Sequence, residues 1–120
     1  MSDLSKKAME RSLKKLLCTK TLDKITIQEL TDDCGISRMT FYYHFKDIYD
    51  LVEWSFEHDL RALLDGRPTY ETWQEDYLQV FREVYRDRDI LYNIYRSSGR
   101  DEIDKFLTGR TYDLIYEALQ

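Results

Sequence analysis

Apolar residues recur at helical spacing along almost the whole chain. Met9, Leu13, Leu16 and Leu17 form one stripe, which predicts a first helix from Ser2 or Ser5 to about Thr19. The polar stretch Thr19 to Lys24 reads as a loop, with Leu22 and Ile25 as plugs into a core. Thr26 is a suitable N-cap for a short helix from Ile27 to Cys34 that turns Ile27, Leu30 and Cys34 inward. Gly35 follows at the place where a helix end calls for a left-handed residue, and Ile36 plugs the turn. Ser37 then caps a second short helix, Arg38 to Phe45. Asp47 caps a fourth helix running to about Asp65, with Asp50 in its first turn and Ile48, Leu51, Val52, Phe56, Leu60, Leu63 and Leu64 as its apolar set.

Gly66-Arg67-Pro68-Thr69 is the only Gly/Pro punctuation in mid-chain and predicts a break between two halves. Beyond it, Trp73, Tyr77, Val80, Phe81 and Val84 keep helical spacing. A short helix from Ile90 to Arg96 stops at Ser97-Ser98-Gly99. From about Asp101 to Gln120, Ile103, Phe106, Leu107, Leu114, Ile115 and Ala118 fall on one side, with Gly109 as an interruption. That last helix ends in mid-pattern without a stop signal, which predicts a piece of a longer chain. The expected fold class is therefore all-α: a three-helix unit over 1–46, a connecting helix over 47–65, and an incomplete helical domain over 69–120.

Composition sharpens this in four ways. With 120 residues, the chain is one domain's worth, or one small domain plus part of another, and four Gly and one Pro are too few for a turn-rich β fold. No apolar run exceeds three residues, against the ~20 that span a bilayer, so no membrane partner is expected, and the N-terminus lacks the apolar stretch of a secretory signal. Cys18 and Cys34 read as reduced thiols in the core of a cytoplasmic protein. The only histidines, His44 and His58, match no common zinc spacing, so neither a metal nor another cofactor is expected.

The net charge of −5 hides a split. Residues 1–46 hold nine Lys/Arg against six Asp/Glu, a surplus of +3, whereas residues 47–120 hold nine against seventeen, a deficit of −8. Only the front half suits a polyanion, although +3 is also an ordinary solvated surface. Lys6, Lys7, Arg11, Lys14 and Lys15 read as such a surface.

Ile25 to Lys46 carries the chemistry. Two short helices joined by a Gly-bearing turn have the layout of a helix-turn-helix. Its second helix needs one face for the protein and one for the major groove. Phe41 and Phe45 are four apart and share the inner face, which turns Arg38, Met39, Tyr42 and Tyr43 outward. Arg38 can pair with the O6/N7 edge of guanine, and Met39 suits a thymine methyl. Thr40, Tyr42 and His44 can donate to phosphate oxygens, and Lys46 precedes a helix N-terminus that favours an anion.

Thr26-Ile27-Gln28-Glu29-Leu30 through Gly35-Ile36-Ser37-Arg38-Met39-Thr40-Phe41-Tyr42-Tyr43-His44-Phe45-Lys46-Asp47 resembles the DNA-binding signature of the TetR family of transcriptional regulators. The resemblance implies base contacts from Arg38, Met39 and Tyr43, with Gln28 adding one from the preceding helix. It implies phosphate contacts from Thr26, Thr40, Tyr42, His44 and Lys46. The run Asp89 to Tyr95 and the stop at Ser97-Ser98-Gly99 are similar to a Gram-positive branch associated with dihydroxyacetone kinase operons. Family members act as homodimers on a double-stranded operator and continue through further helices that form the dimer bundle; this chain ends before them.

The second half of such regulators holds an effector pocket. Among Tyr70, Trp73, Tyr77, Phe81, Tyr85, Tyr92, Tyr95, Phe106, Tyr112 and Tyr116, core packing accounts for most, and Trp73, Tyr77, Tyr92 and Tyr95 are the candidates for lining a small-molecule site. The competing function is a protein-binding adaptor that keeps the fold and senses its signal through a partner protein docked on the acidic half. An enzyme is not expected, since no phosphate loop, activated nucleophile or metal set is present.

Overall fold

The computed structural model describes residues 2–64, 73–96 and 100–118. Seven helices follow one another there: α1 (Ser2–Leu17), α2 (Ile27–Cys34), α3 (Arg38–His44), α4 (Ile48–Leu64), α5 (Trp73–Arg86), α6 (Arg88–Tyr95) and α7 (Arg100–Ala118), with a 3-10 turn at Leu22–Lys24. No strand occurs among the described residues, and the protein is all-α. None of these helices is long and apolar enough to cross a membrane.

Local chemistry sets the boundaries of α2, α3 and α4. The Thr26 hydroxyl accepts the Glu29 amide at 3.0 Å and opens α2. Gly35, at φ 73°, closes it and donates its amide to the Thr31 carbonyl. A side chain with Cβ is strained in that left-handed conformation. Ser37 accepts the Thr40 amide at 3.1 Å and opens α3, which stops one residue sooner than its pattern predicts because Phe45 is already extended. At α4 two aspartates cap reciprocally: Asp47 accepts the Asp50 amide and Asp50 accepts the Lys46 amide, both at 2.9 Å.

Among the described residues, the core is built almost wholly by the first half. Met9, Leu13 and Leu17 of α1 meet Leu22, Ile25, Leu30, Phe41, Phe45, Ile48, Leu51 and Val52, all buried. Thr31 is buried with them, a polar residue the apolar pattern passes over. Its hydroxyl is satisfied by the Ile27 carbonyl at 2.9 Å. The second half contributes Ile94 of α6 to this cluster. Next to it, buried Asn93 donates its Nδ2 to the Leu17 carbonyl at 2.6 Å. Polar ties complete the frame. Buried Ser55 donates to Glu10 at 2.5 Å, Lys14 pairs with Asp59 at 2.8 Å, and Arg110 pairs with Glu57 at 2.5 Å.

Several expectations are corrected. Cys18 is exposed, because it lies past the last turn of α1, where the stripe no longer faces the core; Cys34 is half-buried, and both are free thiols. Gly109 does not interrupt α7, which runs from Arg100 to Ala118 across it, since one glycine inside a helix costs only about 1 kcal/mol. The second-half aromatics are mostly not core. Phe81, Tyr85, Tyr92, Tyr95, Tyr112 and Tyr116 are all exposed, because helical spacing does not fix which side of a helix packs on the core. Leu107 is exposed for the same reason. Lys14 and Lys15 are not simply solvated: Lys14 pairs with Asp59, and Lys15 with Asp33 at 2.8 Å. The predicted break at Gly66-Arg67-Pro68-Thr69, the stop at Ser97-Ser98-Gly99 and Tyr70 lie outside the described residues, as do the side chains of Leu63, Leu64, Trp73, Ile103, Leu114, Ile115 and Ala118.

Candidate nucleic-acid interface

Helix α3 has two chemically distinct sides. Phe41 is fully buried, its ring 5.9 Å from that of Phe45, which in turn meets Trp54 of α4 edge-on at 6.0 Å. These contacts fix the roll of α3 against the core. The opposite side then has to present Arg38, Met39, Tyr42 and Tyr43, all of them exposed, with Met39 at 83% and Tyr43 at 81%. Aromatics and thioethers this open are costly to leave in water and suit a surface that is covered in use.

The other sequence-predicted positions fall around this face. Thr40 is half-buried, and its hydroxyl bonds that of the capping Ser37 at 3.0 Å. His44 is half-buried, its ring edge-on to Tyr43 at 5.0 Å. Lys46 is exposed at the turn into α4. On α2, which packs against α3, Thr26 is exposed, and its oxygen is used as a cap while its O–H remains able to donate. Gln28 is exposed beside it, with Nε2 held by Asp32 Oδ1 at 2.8 Å.

Charge is sorted in a way the composition does not show. Lys14, Lys15 and Lys20 are spent on Asp59, Asp33 and Glu29. Asp33 is held below its ordinary pKa by hydrogen bonds from Lys15 and Ser12. Burial opposes the charge on Lys14, but the hydrogen bond and field of Asp59, with Glu10 behind it, outweigh burial and raise its pKa. Arg38 and Lys46, in contrast, have no ion-pair partner among the described residues. The basic groups left for a phosphate backbone therefore include the two that bracket α3.

Glu10, His58 and Asp59 also bring three potential metal-ligand atoms within 4.8 Å of one another, a grouping that spacing could not reveal because it joins α1 to α4. The Lys14 ammonium lies 2.8 Å from Asp59 and 3.8 Å from Glu10, so the protein supplies its own cation there. A cavity of about 620 Å³ opens between α4, α5, α6 and α7. Phe56, Leu60, Leu91, Ile94 and Phe106 line it, with Lys14 and Arg110 at its polar edge. Of the four candidate pocket residues, Tyr95 lines this cavity, Tyr77 and Tyr92 do not, and the Trp73 side chain is outside the described set. Tyr77 is half-buried, and Tyr92 lies under the Arg96 guanidinium.

The arrangement has a solved counterpart. The chain superposes on the dihydroxyacetone kinase operon activator DhaS with a TM-score of 0.74 at 21% identity, over 95% of this chain and 63% of that one. It has that activator's fold. In sequence it is 27% identical, over 81 residues, to the HTH-type dhaKLM operon transcriptional activator DhaS of Lactococcus lactis subsp. lactis (strain IL1403). The match takes in 68% of this chain and 43% of the relative. The chain thus spans less than two thirds of the length of either protein. No protein-family profile matches it.

Proposed function

We propose that the protein is a sequence-specific DNA-binding transcriptional regulator of the TetR type, with α3 as its reading helix. One observation carries this: Phe41 and Phe45 lock one side of a seven-residue helix into the core, while Arg38, Met39, Tyr42 and Tyr43 stand in solvent on the other. A helix with its side chains is about 10–12 Å across and the major groove about 12 Å wide, so this face enters the groove unobstructed. Arg38, Met39, Tyr43 and Gln28 read base edges. Thr26, Thr40, Tyr42, His44 and Lys46 hold phosphates. The likeness to DhaS proteins, named as operon activators, supports a regulator that performs no catalysis.

Residues 1–46 form the DNA-binding unit, 47–65 the connecting helix and 69–120 the regulatory part. The protein works in the cytoplasm as a homodimer on a two-fold site, where two reading helices must sit about 34 Å apart to enter successive grooves. A small molecule in the cavity between α4 and α7 shifts that spacing. A second reading, in which the signal arrives through a partner protein, is favoured by the exposed Phe81 and Tyr85 on α5, a surface suited to being covered.

Quantitative DNA binding at several salt concentrations tests the proposal. Arg38→Ala is expected to weaken binding to a selected site by about 1–3 kcal/mol and relax one base preference. Lys46→Ala is expected to weaken all sequences alike and reduce the salt slope by about 0.9. Unchanged affinity for both variants at every salt concentration removes α3 from the interface.

A further inference from the structure

We propose that Glu10 of α1, with His58 and Asp59 of α4, forms a binding site for a divalent transition-metal ion, zinc by its donor set, which enters by displacing the Lys14 ammonium. The site stands apart from the regulator reading and does not depend on it.

Glu10 and Lys14 are four apart on α1, and His58 and Asp59 lie three and four residues beyond Ser55 on α4, so each helix turns its set to one side. The fold lays these two sides together. One ligand atom from each of Glu10, His58 and Asp59 lies within 4.8 Å of the others. Donors bonded to a tetrahedral zinc at about 2.0–2.2 Å are about 3.4 Å apart, so the three need to close by only roughly 1 Å. A buried carboxylate needs its charge compensated. Glu10 is 8% exposed and accepts a hydrogen bond from the Ser55 hydroxyl at 2.5 Å, while Lys14 Nζ stands off at 3.8 Å. His58 points to a ligand more directly. Its Nδ1 is buried, has no hydrogen-bond partner among the described residues, and lies 3.9 Å from Asp59 Oδ1. Trp54 stacks on the His58 ring at 4.8 Å and holds its plane.

Lys14 takes the place of a metal cation in the metal-free protein, 2.8 Å from Asp59. Two carboxylates and one ammonium leave the cluster one net negative charge. A divalent ion in place of the ammonium brings it to zero, with the imidazole neutral as coordination requires. Lys14 also has somewhere to go. It lines the cavity together with Asp87, whose field already reaches it. The donor set narrows the metal. An imidazole nitrogen argues against magnesium and calcium, which take oxygen ligands. One nitrogen and two carboxylates, with water as a fourth ligand, suit zinc. Because the ligands come from α1 and α4, a bound ion joins the two helices and stabilises the folded chain over the unfolded one.

The test titrates zinc alone into the full chain, against a chromophoric chelator for affinity and by thermal unfolding for stabilisation, and uses cobalt absorption to report the ligand class. The unmodified chain is expected to bind a single equivalent and to unfold at a higher temperature with zinc than without. His58→Ala is expected to weaken binding by about 100-fold or more, and Ser55→Ala by about tenfold, since the Ser55 hydroxyl orients Glu10. Lys14→Met is expected to tighten binding about tenfold, because no ammonium has to be expelled. Should His58→Ala fail to fold, Asp59→Asn replaces it with the same expected loss. A double Cys18→Ser, Cys34→Ser variant is expected to bind as the unmodified chain does, and the cobalt spectrum to lack the strong near-ultraviolet band of a metal–thiolate bond. No zinc bound, equal binding in His58→Ala or Asp59→Asn, or binding that disappears with the cysteines overturns the site. Unaltered affinity in Lys14→Met overturns the displacement.

Discussion

Replacing Phe41 and Tyr43 separately with alanine separates the two sides of α3, because the residues are two positions apart in sequence and opposite in environment. Phe41 is fully buried, with its ring against Phe45 at 5.9 Å and Tyr42 at 5.5 Å. Truncating a buried phenylalanine removes its transfer free energy and leaves a cavity, at a cost of about 3–5 kcal/mol. A domain of this size is stable by only about 5–15 kcal/mol, so Phe41→Ala should move the urea midpoint down by roughly 2 M or leave the chain unfolded. Tyr43 is 81% exposed and touches the edge of His44, so its truncation should change stability by less than about 0.5 kcal/mol. Its effect belongs to DNA affinity, where loss of an apolar and hydrogen-bonding contact should cost about 1 kcal/mol or more. Urea unfolding followed by circular dichroism, with DNA titration of the folded variants, reads both quantities. The assignment of faces fails if Tyr43→Ala destabilises the fold as much as Phe41→Ala, or if Phe41→Ala is tolerated without a shift in midpoint.

Three further outcomes follow from the local geometry. Gly35→Ala forces a Cβ into φ 73° and should cost about 1 kcal/mol in thermal or urea unfolding, and Ser37→Ala should cost a similar amount by removing the cap of α3. For Asp33, the folded pKa lies below the ordinary 3.8, so its contribution is present above that value and is lost as pH falls through the depressed one. Asp33→Asn should accordingly flatten the acid limb of a stability-against-pH curve and leave the neutral-to-alkaline part parallel to that of the unmodified chain.

The first half was legible because its signals are local. Thr26, Gly35, Ser37 and Asp47 each act within four residues, and the Phe41/Phe45 spacing assigns the faces of α3 without any tertiary knowledge. Ion pairing was not legible: Lys15 and Lys46 look alike in sequence, but the fold brings Asp33 to the first and gives the second no ion-pair partner among the described residues. The second half was read less well for a related reason. A run such as Tyr77, Val80, Phe81 and Val84 predicts an amphipathic helix but not how much of its apolar arc finds cover, so residues expected in a core stand exposed. Asn93 carried no signal, because a buried asparagine that caps a distant helix looks like any polar residue in a helix until α6 is laid against α1.

The central claim is that α3 meets the bases, and photocrosslinking tests it most directly. Duplexes selected by the protein from a random pool, rebuilt with 5-iodouracil in place of thymine, would be irradiated in complex and the attached peptide identified by mass spectrometry. Crosslinks on Met39 or Tyr43 are the predicted result. Crosslinks confined to α5, α6 or α7, with none in residues 26–46, would contradict the claim.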